Sequence, residues 1–309
     1  MAKSTNFSIR PADWKLSDLI YPALAVSSLA YLYLIYKDAF CWSDGDHARL
    51  FLISLTIAIP EIVIWFIAAR GAKGIKEYAQ LIKGSKDGKS LNYFANALML
   101  IVLYVVIMTA ANSFVAGFKG TNYLKLVVEL QNHVPVLIML ISAVLLLKGA
   151  LSLNKLVPLR PRGLTQIGWL SLYLLLGAVF AWHFYVTVPS LVSRNGIQQF
   201  SLSPKLLIFS YVLPQLIAWA LSLYACISIA SYSFRVKGAI YKQLFSNLYQ
   251  GILLVYVCIV LAQLIIASNI GLNKFSLGVV LIYAVLFLGI IGFLLIYKGS
   301  EKLSRLEKL

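Results

Sequence analysis

The sequence predicts an all-α polytopic membrane protein: eight transmembrane helices, arranged as two parallel four-helix repeats, with both termini in the cytoplasm. Three observations carry this reading. The composition is 61% hydrophobic and only 12% charged, with a mean hydropathy of +0.84, far from the profile of a soluble domain. Apolar runs of bilayer-crossing length, about 18 residues or more, recur along the 309 positions. All 27 Lys and Arg residues fall outside those runs and divide unequally between the two sides. Alternating ten-residue strands with aromatic girdles are absent, which argues against a β-barrel.

The spans are placed at 19–36, 50–69, 92–117, 126–147, 167–188, 206–232, 248–267 and 276–297. The first, Leu19 to Tyr36, is longer than a signal-peptide core and lacks a small-x-small cleavage site, so it reads as an uncleaved anchor. The second holds Glu61, the only charge between Leu50 and Ala69. The fourth has a polar first third, before Val134-Pro135. Between the second and third spans, Ile75, Tyr78, Ala79 and Ile82 recur at helical spacing, with Arg70, Lys73 and Lys76 largely off that stripe. The second helix is therefore expected to continue along the cytoplasmic surface as a basic amphipathic stretch ending at Gly84. Ser90 is the expected cap of the third helix. The run from Gly84 to Ser90 superficially resembles a phosphate loop, but has three residues between its glycines where four are needed, and no strand precedes it.

Topology follows from charge. The N-tail, the C-tail and the loops 70–91, 148–166 and 233–247 hold 20 basic residues, and the four opposite loops hold 7. Basic residues stay cytoplasmic during insertion, which puts both termini inside, as an even span count also requires. The formal net charge of +16 then suits anionic lipid headgroups at the cytoplasmic loops. Nucleic-acid binding would need a soluble basic surface with stacking aromatics, and none is evident.

A shift of 154 residues sets Pro60 on Pro214, Glu61 on Gln215, Trp65 on Trp219, Tyr78 on Tyr232, Lys83-Gly84 on Lys237-Gly238, Asn96 on Gln250 and Gly117 on Gly271. At a slightly different offset Arg10-Pro11 meets Arg160-Pro161 and Lys148-Gly149 meets Lys298-Gly299. Residues 1–154 and 155–309 are thus read as two copies. Each contains an even number of crossings, so they enter the membrane in the same sense and are related by a pseudo-twofold along its normal. Recurrent helix grammar, such as Gly after a terminal Lys, is the simpler account of part of this pattern.

Chemistry is sparse. A carboxylate near the midplane is costly unless partnered or placed in a polar cavity, so Glu61 is the leading candidate for binding a proton, a cation or the polar part of a solute. Pro60 leaves the Thr56 carbonyl without its helical donor. Thr109 sits at a similar depth, Asn112 one turn further out, and Glu129, Asn132 and His133 share a face of the fourth helix. Together they would line a path from outside toward Glu61. The bland reading is a hydrogen-bonded Glu61, for which Gln215 at the matched position speaks, and a helix 4 cluster lying at the wet interface. Pro60 and Pro214, with Trp65 and Trp219, mark either hinges or fixed bends.

The three cysteines form no disulfide framework or CxxC pair, the three histidines lack partners at ligand spacing, and no zinc, serine-hydrolase or paired-aspartate motif occurs. No cofactor, metal or enzymatic activity is expected. Two functions remain: a transporter or channel-like protein for a small solute, ion or lipid, and a non-transporting subunit, scaffold or receptor-like module. The second would bind a protein partner, or a copy of itself, through helices and basic loops.

Overall fold

The computed structural model describes residues 16–41, 47–82, 84–117, 124–154, 208–236, 239–267 and 275–306. Among these the chain is all-helical: α1 (Leu16–Cys41), α2 (His47–Leu81), α3 (Lys86–Gly117), α4 (Leu124–Asn154), a π-helical turn (Ile208–Val212) leading into α5 (Leu213–Ser233), α6 (Ala239–Ala267) and α7 (Phe275–Leu306). The expected span 167–188 lies outside the described residues. Four stretches are long and apolar enough to cross a bilayer: Ser54–Leu81, His133–Leu153, Phe209–Ser233 and Val280–Glu301. Leu52, Ile59, Leu137, Phe209, Val280 and Phe287 are all more than half exposed. An apolar exterior of that extent suits hydrocarbon rather than water, and marks a membrane protein.

Six helices form a closed ring. α2 packs on α3, α3 on α4, α4 on α5, α5 on α6, α6 on α7, and α7 returns to α2, while α1 lies against α2 and α3. Small residues set the closest approaches, as expected where lipid supplies no hydrophobic drive between helices. A Cβ on Gly251 of α6 would stand 2.6 Å from the Gly292 carbonyl oxygen of α7, and one on Gly292 would stand 3.0 Å from the Gly251 carbonyl. Gly149 of α4 gives way in the same manner to the Phe94 ring of α3. Trp65, Phe94, Phe245, Leu98, Leu248 and Met139 are the largest fully buried side chains.

Three local features depart from the sequence reading. α2 runs unbroken through Pro60 to Leu81, and the stripe of Ile75, Tyr78 and Ala79 is buried in the bundle, so it serves tertiary packing and does not lie along a surface. The Arg70 guanidinium instead stands 5.7 Å over the Tyr297 ring, and Lys73 stands 5.5 Å over Tyr21. Ser85, not Ser90, caps α3: its Oγ accepts the Gly88 N–H at 2.9 Å and donates to the Ile82 carbonyl at 2.8 Å. Ser90 is fully buried inside the helix. Gly84, at φ +101°, makes the reversal that brings Ser85 into place. Finally, the two matched prolines differ. Pro60 sits within continuous α-helix, whereas Pro214 opens α5 after the π-turn, where the widened turn accommodates a ring that would crowd the carbonyl four residues earlier.

Candidate functional site

One stripe of α2 faces the bundle interior: Ser54, Ile57, Glu61, Trp65, Ala68, Ala72, Ile75 and Ala79, at alternating three- and four-residue spacing. Its burial changes abruptly. Ser54, Ile57 and Glu61 are partly accessible, and all five residues from Trp65 onward are buried. Leu52, Thr56, Ile59, Val63 and Arg70 on the opposite face are exposed. The interior surface of α2 is thus open from its N-terminal end down to Glu61 and closed below it.

Glu61 is held from α1. The Tyr31 hydroxyl donates to Glu61 Oε2 at 2.9 Å, and the Tyr31 ring lies 5.9 Å from that of Trp65, tilted by 32°. Trp65 is 1% exposed, and its Nε1 has no hydrogen-bond partner. Nearby, the Ile64 side chain and Cys258 of α6 border Gly289 of α7, and the Cys258 thiol donates to the Val285 carbonyl at 3.2 Å. Thr56, on the outer rim, is hydrogen-bonded to the Tyr283 hydroxyl of α7. Removing the phenol by Tyr31→Phe leaves Glu61 short of a partner, a loss of about 1–3 kcal/mol; the expected result is a lower thermal unfolding midpoint in detergent, with the Tyr33→Phe control, an exposed position, unchanged.

His133 and Gln215 belong to a different seam. His133 Nε2 lies 2.9 Å from Ser210 Oγ, and its ring meets Tyr211 edge-on at 6.3 Å. Gln215 is 1% exposed, its amide reaching the Tyr211 hydroxyl while its Oε1 accepts no hydrogen bond. This is the α4–α5 contact, whereas Glu61 lies on the α1–α2 side next to α7. The structure therefore does not bring His133 to Glu61. Thr109 and Asn112 lie on α3, and Glu129 and Asn132 on α4; their side chains are outside what is described. Trp219 is buried on the interior stripe of α5, as Trp65 is on α2. No group of three His, Cys, Asp or Glu residues is placed to hold a metal among the described residues.

A further polar cluster sits where α2 turns into α3 and α5 into α6. Tyr78 and Tyr241 share a hydrogen bond of 2.7 Å, and the Tyr232 hydroxyl donates to Asp87 Oδ1 at 3.4 Å. The Tyr232 ring packs edge-on against Phe245 at 4.9 Å.

Sequence reasoning missed Tyr31, Tyr283, Ser210, Tyr241 and Asp87. Two signals were available. Tyr31 stands twelve residues into an outgoing span and Glu61 eleven into an incoming one, so their depths match. Asp87 and Tyr241 are themselves 154 residues apart, the offset that matches Tyr78 to Tyr232. Comparison of the chain with protein-family models, curated proteins and solved structures finds no match.

Proposed function

We propose that the protein is a transporter or channel-like protein for a small solute, ion or lipid, in which Glu61 forms the floor of a vestibule open to the outside. The observation that carries this is the break in burial along the interior stripe of α2 at Glu61. A carboxyl that is neither lipid-facing nor sealed in the core suits a binding group at the end of an access route. Thr109, Asn112, Glu129 and Asn132 are assigned to the vestibule wall.

The reading includes eight spans, cytoplasmic termini, basic loops facing anionic headgroups, and two parallel four-helix halves, 1–154 and 155–309. The contacts favour the halves. Under the offsets of 154 for the early helices of each half and 150 for the last, α2, α3 and α4 correspond to α5, α6 and α7. The α2–α7 seam then corresponds to the α4–α5 seam, and both exist. Individual contacts correspond too. Tyr78–Tyr241 maps onto Tyr232–Asp87. His133–Ser210 maps onto Tyr283–Thr56. The Ser142 hydroxyl donates to the Ala97 carbonyl at 3.0 Å, and the positions matching that pair are Gly292 and Gly251, the closest backbone approach in the other half. The halves would differ where it matters: Glu61 is accessible and Gln215 is sealed.

The second reading, a non-transporting scaffold or receptor-like subunit with a protein partner or a second copy, draws on the dry packing below Glu61 and on the Tyr31 hydrogen bond. Carbodiimides separate the two. In proteoliposomes a water-soluble carbodiimide added outside is expected to modify Glu61, read as a mass increase on the peptide containing it, and Glu61→Gln is expected to remove the adduct. Modification by a membrane-soluble carbodiimide alone, or by neither, means that water does not reach the carboxyl, and the vestibule is wrong.

A further inference from the structure

Resting on that vestibule reading, we infer that the Glu61 site takes a small organic ammonium ion that carries a neighbouring hydrogen-bond acceptor, the chemistry of an amino alcohol or its quaternary analogue. Three features of the floor converge on this class. The first is charge. Glu61 is the only acid on the interior stripe of α2, and the nearest basic residue of that helix, Arg70, is exposed on the opposite face. A cation descending to Glu61 therefore meets no positive side chain from α2.

The second is the aromatic wall. Tyr31 and Trp65, from two different helices, stand together beside the carboxyl. Ring faces attract a poorly hydrated cation with alkyl substituents, and tryptophan does so most strongly. An inorganic cation asks for something else, six or so oxygen ligands for calcium or magnesium. The stripe supplies Ile57 and Trp65 on either side of Glu61, and no multi-ligand cluster occurs among the described residues.

The third is the leftover donor. Trp65 Nε1–H is buried with no acceptor, although buried polar groups are nearly always satisfied. Tyr31 already gives its proton to Glu61. A ligand that brings an acceptor a few bonds from its ammonium group satisfies the indole while the ammonium faces the carboxylate. Neither an alkali ion nor a simple hydrocarbon amine does both. The matched position on α5 reverses the pattern: there Gln215 replaces the acid and no charge is present to hold a cation.

Choline is the probe, with sodium chloride as the inorganic control and 3,3-dimethylbutan-1-ol as the uncharged isostere. The full chain in lipid nanodiscs is titrated while its tryptophan fluorescence is followed, and the rate at which the water-soluble carbodiimide modifies Glu61 is measured with and without each compound. Choline is expected to give a saturable fluorescence change that disappears in Trp65→Phe, to bind about tenfold more weakly to Glu61→Gln, and to slow the carbodiimide reaction several-fold. An equal response to sodium chloride, or to the neutral alcohol, overturns the assignment. So does the absence of any response or protection while the carbodiimide still reaches Glu61; the vestibule then stands and the ligand class falls. A carboxyl that the reagent never reaches removes the vestibule itself.

Discussion

Gly251→Leu is expected to prevent the α6–α7 pair from assembling, with loss of monodisperse protein after extraction. The reason is that its neighbours are backbone. A Cβ at 251 would lie 2.6 Å from the Gly292 carbonyl oxygen and 3.2 Å from the Ile296 nitrogen, with Ile296 Cγ1 also at 2.6 Å. Backbone in the middle of a packed helix has no rotamer to change, so relief requires the two axes to separate, and with them the neighbouring contacts. The effect should exceed the about 1–3 kcal/mol usual for overpacking. Gly289→Ala, on the same seam, is the calibrating variant: its Cβ would meet Cys258 Sγ at 3.3 Å and Ile64 Cδ1 at 3.8 Å, both side chains. It should extract normally, with a small change in thermal midpoint. Equal behaviour of the two variants would mean that α6 and α7 do not approach as closely as described.

The second large effect is expected at the Tyr–Asp cluster. Tyr78–Tyr241 and Tyr232–Asp87 both cross from one proposed half to the other, and they lie at the same end of the ring. Below Glu61 the interior is packed shut down to this level. If the protein transports by moving its halves against each other, these two bonds must break for the inner side to open. Cys226, buried on α5 six residues before Tyr232, is a built-in reporter. With Cys41 and Cys258 replaced by serine, a membrane-impermeant maleimide added to the cytoplasmic face should label Cys226 slowly in the parent. In the double variant Tyr78→Phe, Tyr232→Phe it should label about tenfold faster, since losing two net hydrogen bonds of about 1 kcal/mol each favours the open form by at least that factor. Each single variant should lie between. An unchanged rate would identify the pairs as static packing.

How much of this was legible beforehand can be followed residue by residue. Glu61 was singled out because a charge in an apolar run is conspicuous without any structure. His133 was grouped with Glu61 because both were expected near the outer half of adjacent incoming and outgoing spans. Sequence gives depth along a helix far better than rotation about it or neighbours across the bundle. The ring places His133 on the α4–α5 seam, next to Ser210 and Tyr211. Ser90 was chosen as a cap over Ser85 because the stretch after Gly84 is polar; a turn that folds back on Ile82 makes Ser85 the residue whose oxygen reaches the Gly88 N–H. The Pro60 and Pro214 pair shows a limit of a different kind, since identical residues at matched positions sit in α-helix on one side and beside a π-turn on the other.

Composition and periodicity by themselves fix that this is a helical chain made for hydrocarbon. Both are one-dimensional consequences of the need to satisfy backbone groups in lipid, and they need no knowledge of what packs on what. The closed ring, the pairing of Tyr31 with Glu61, and the sealing of Gln215 while its acidic counterpart stays reachable were settled only in three dimensions. In a chain where nearly every residue is apolar, many faces are equally greasy, and helix order and rotation are chosen by where glycines allow backbones to touch and where the few polar side chains find each other.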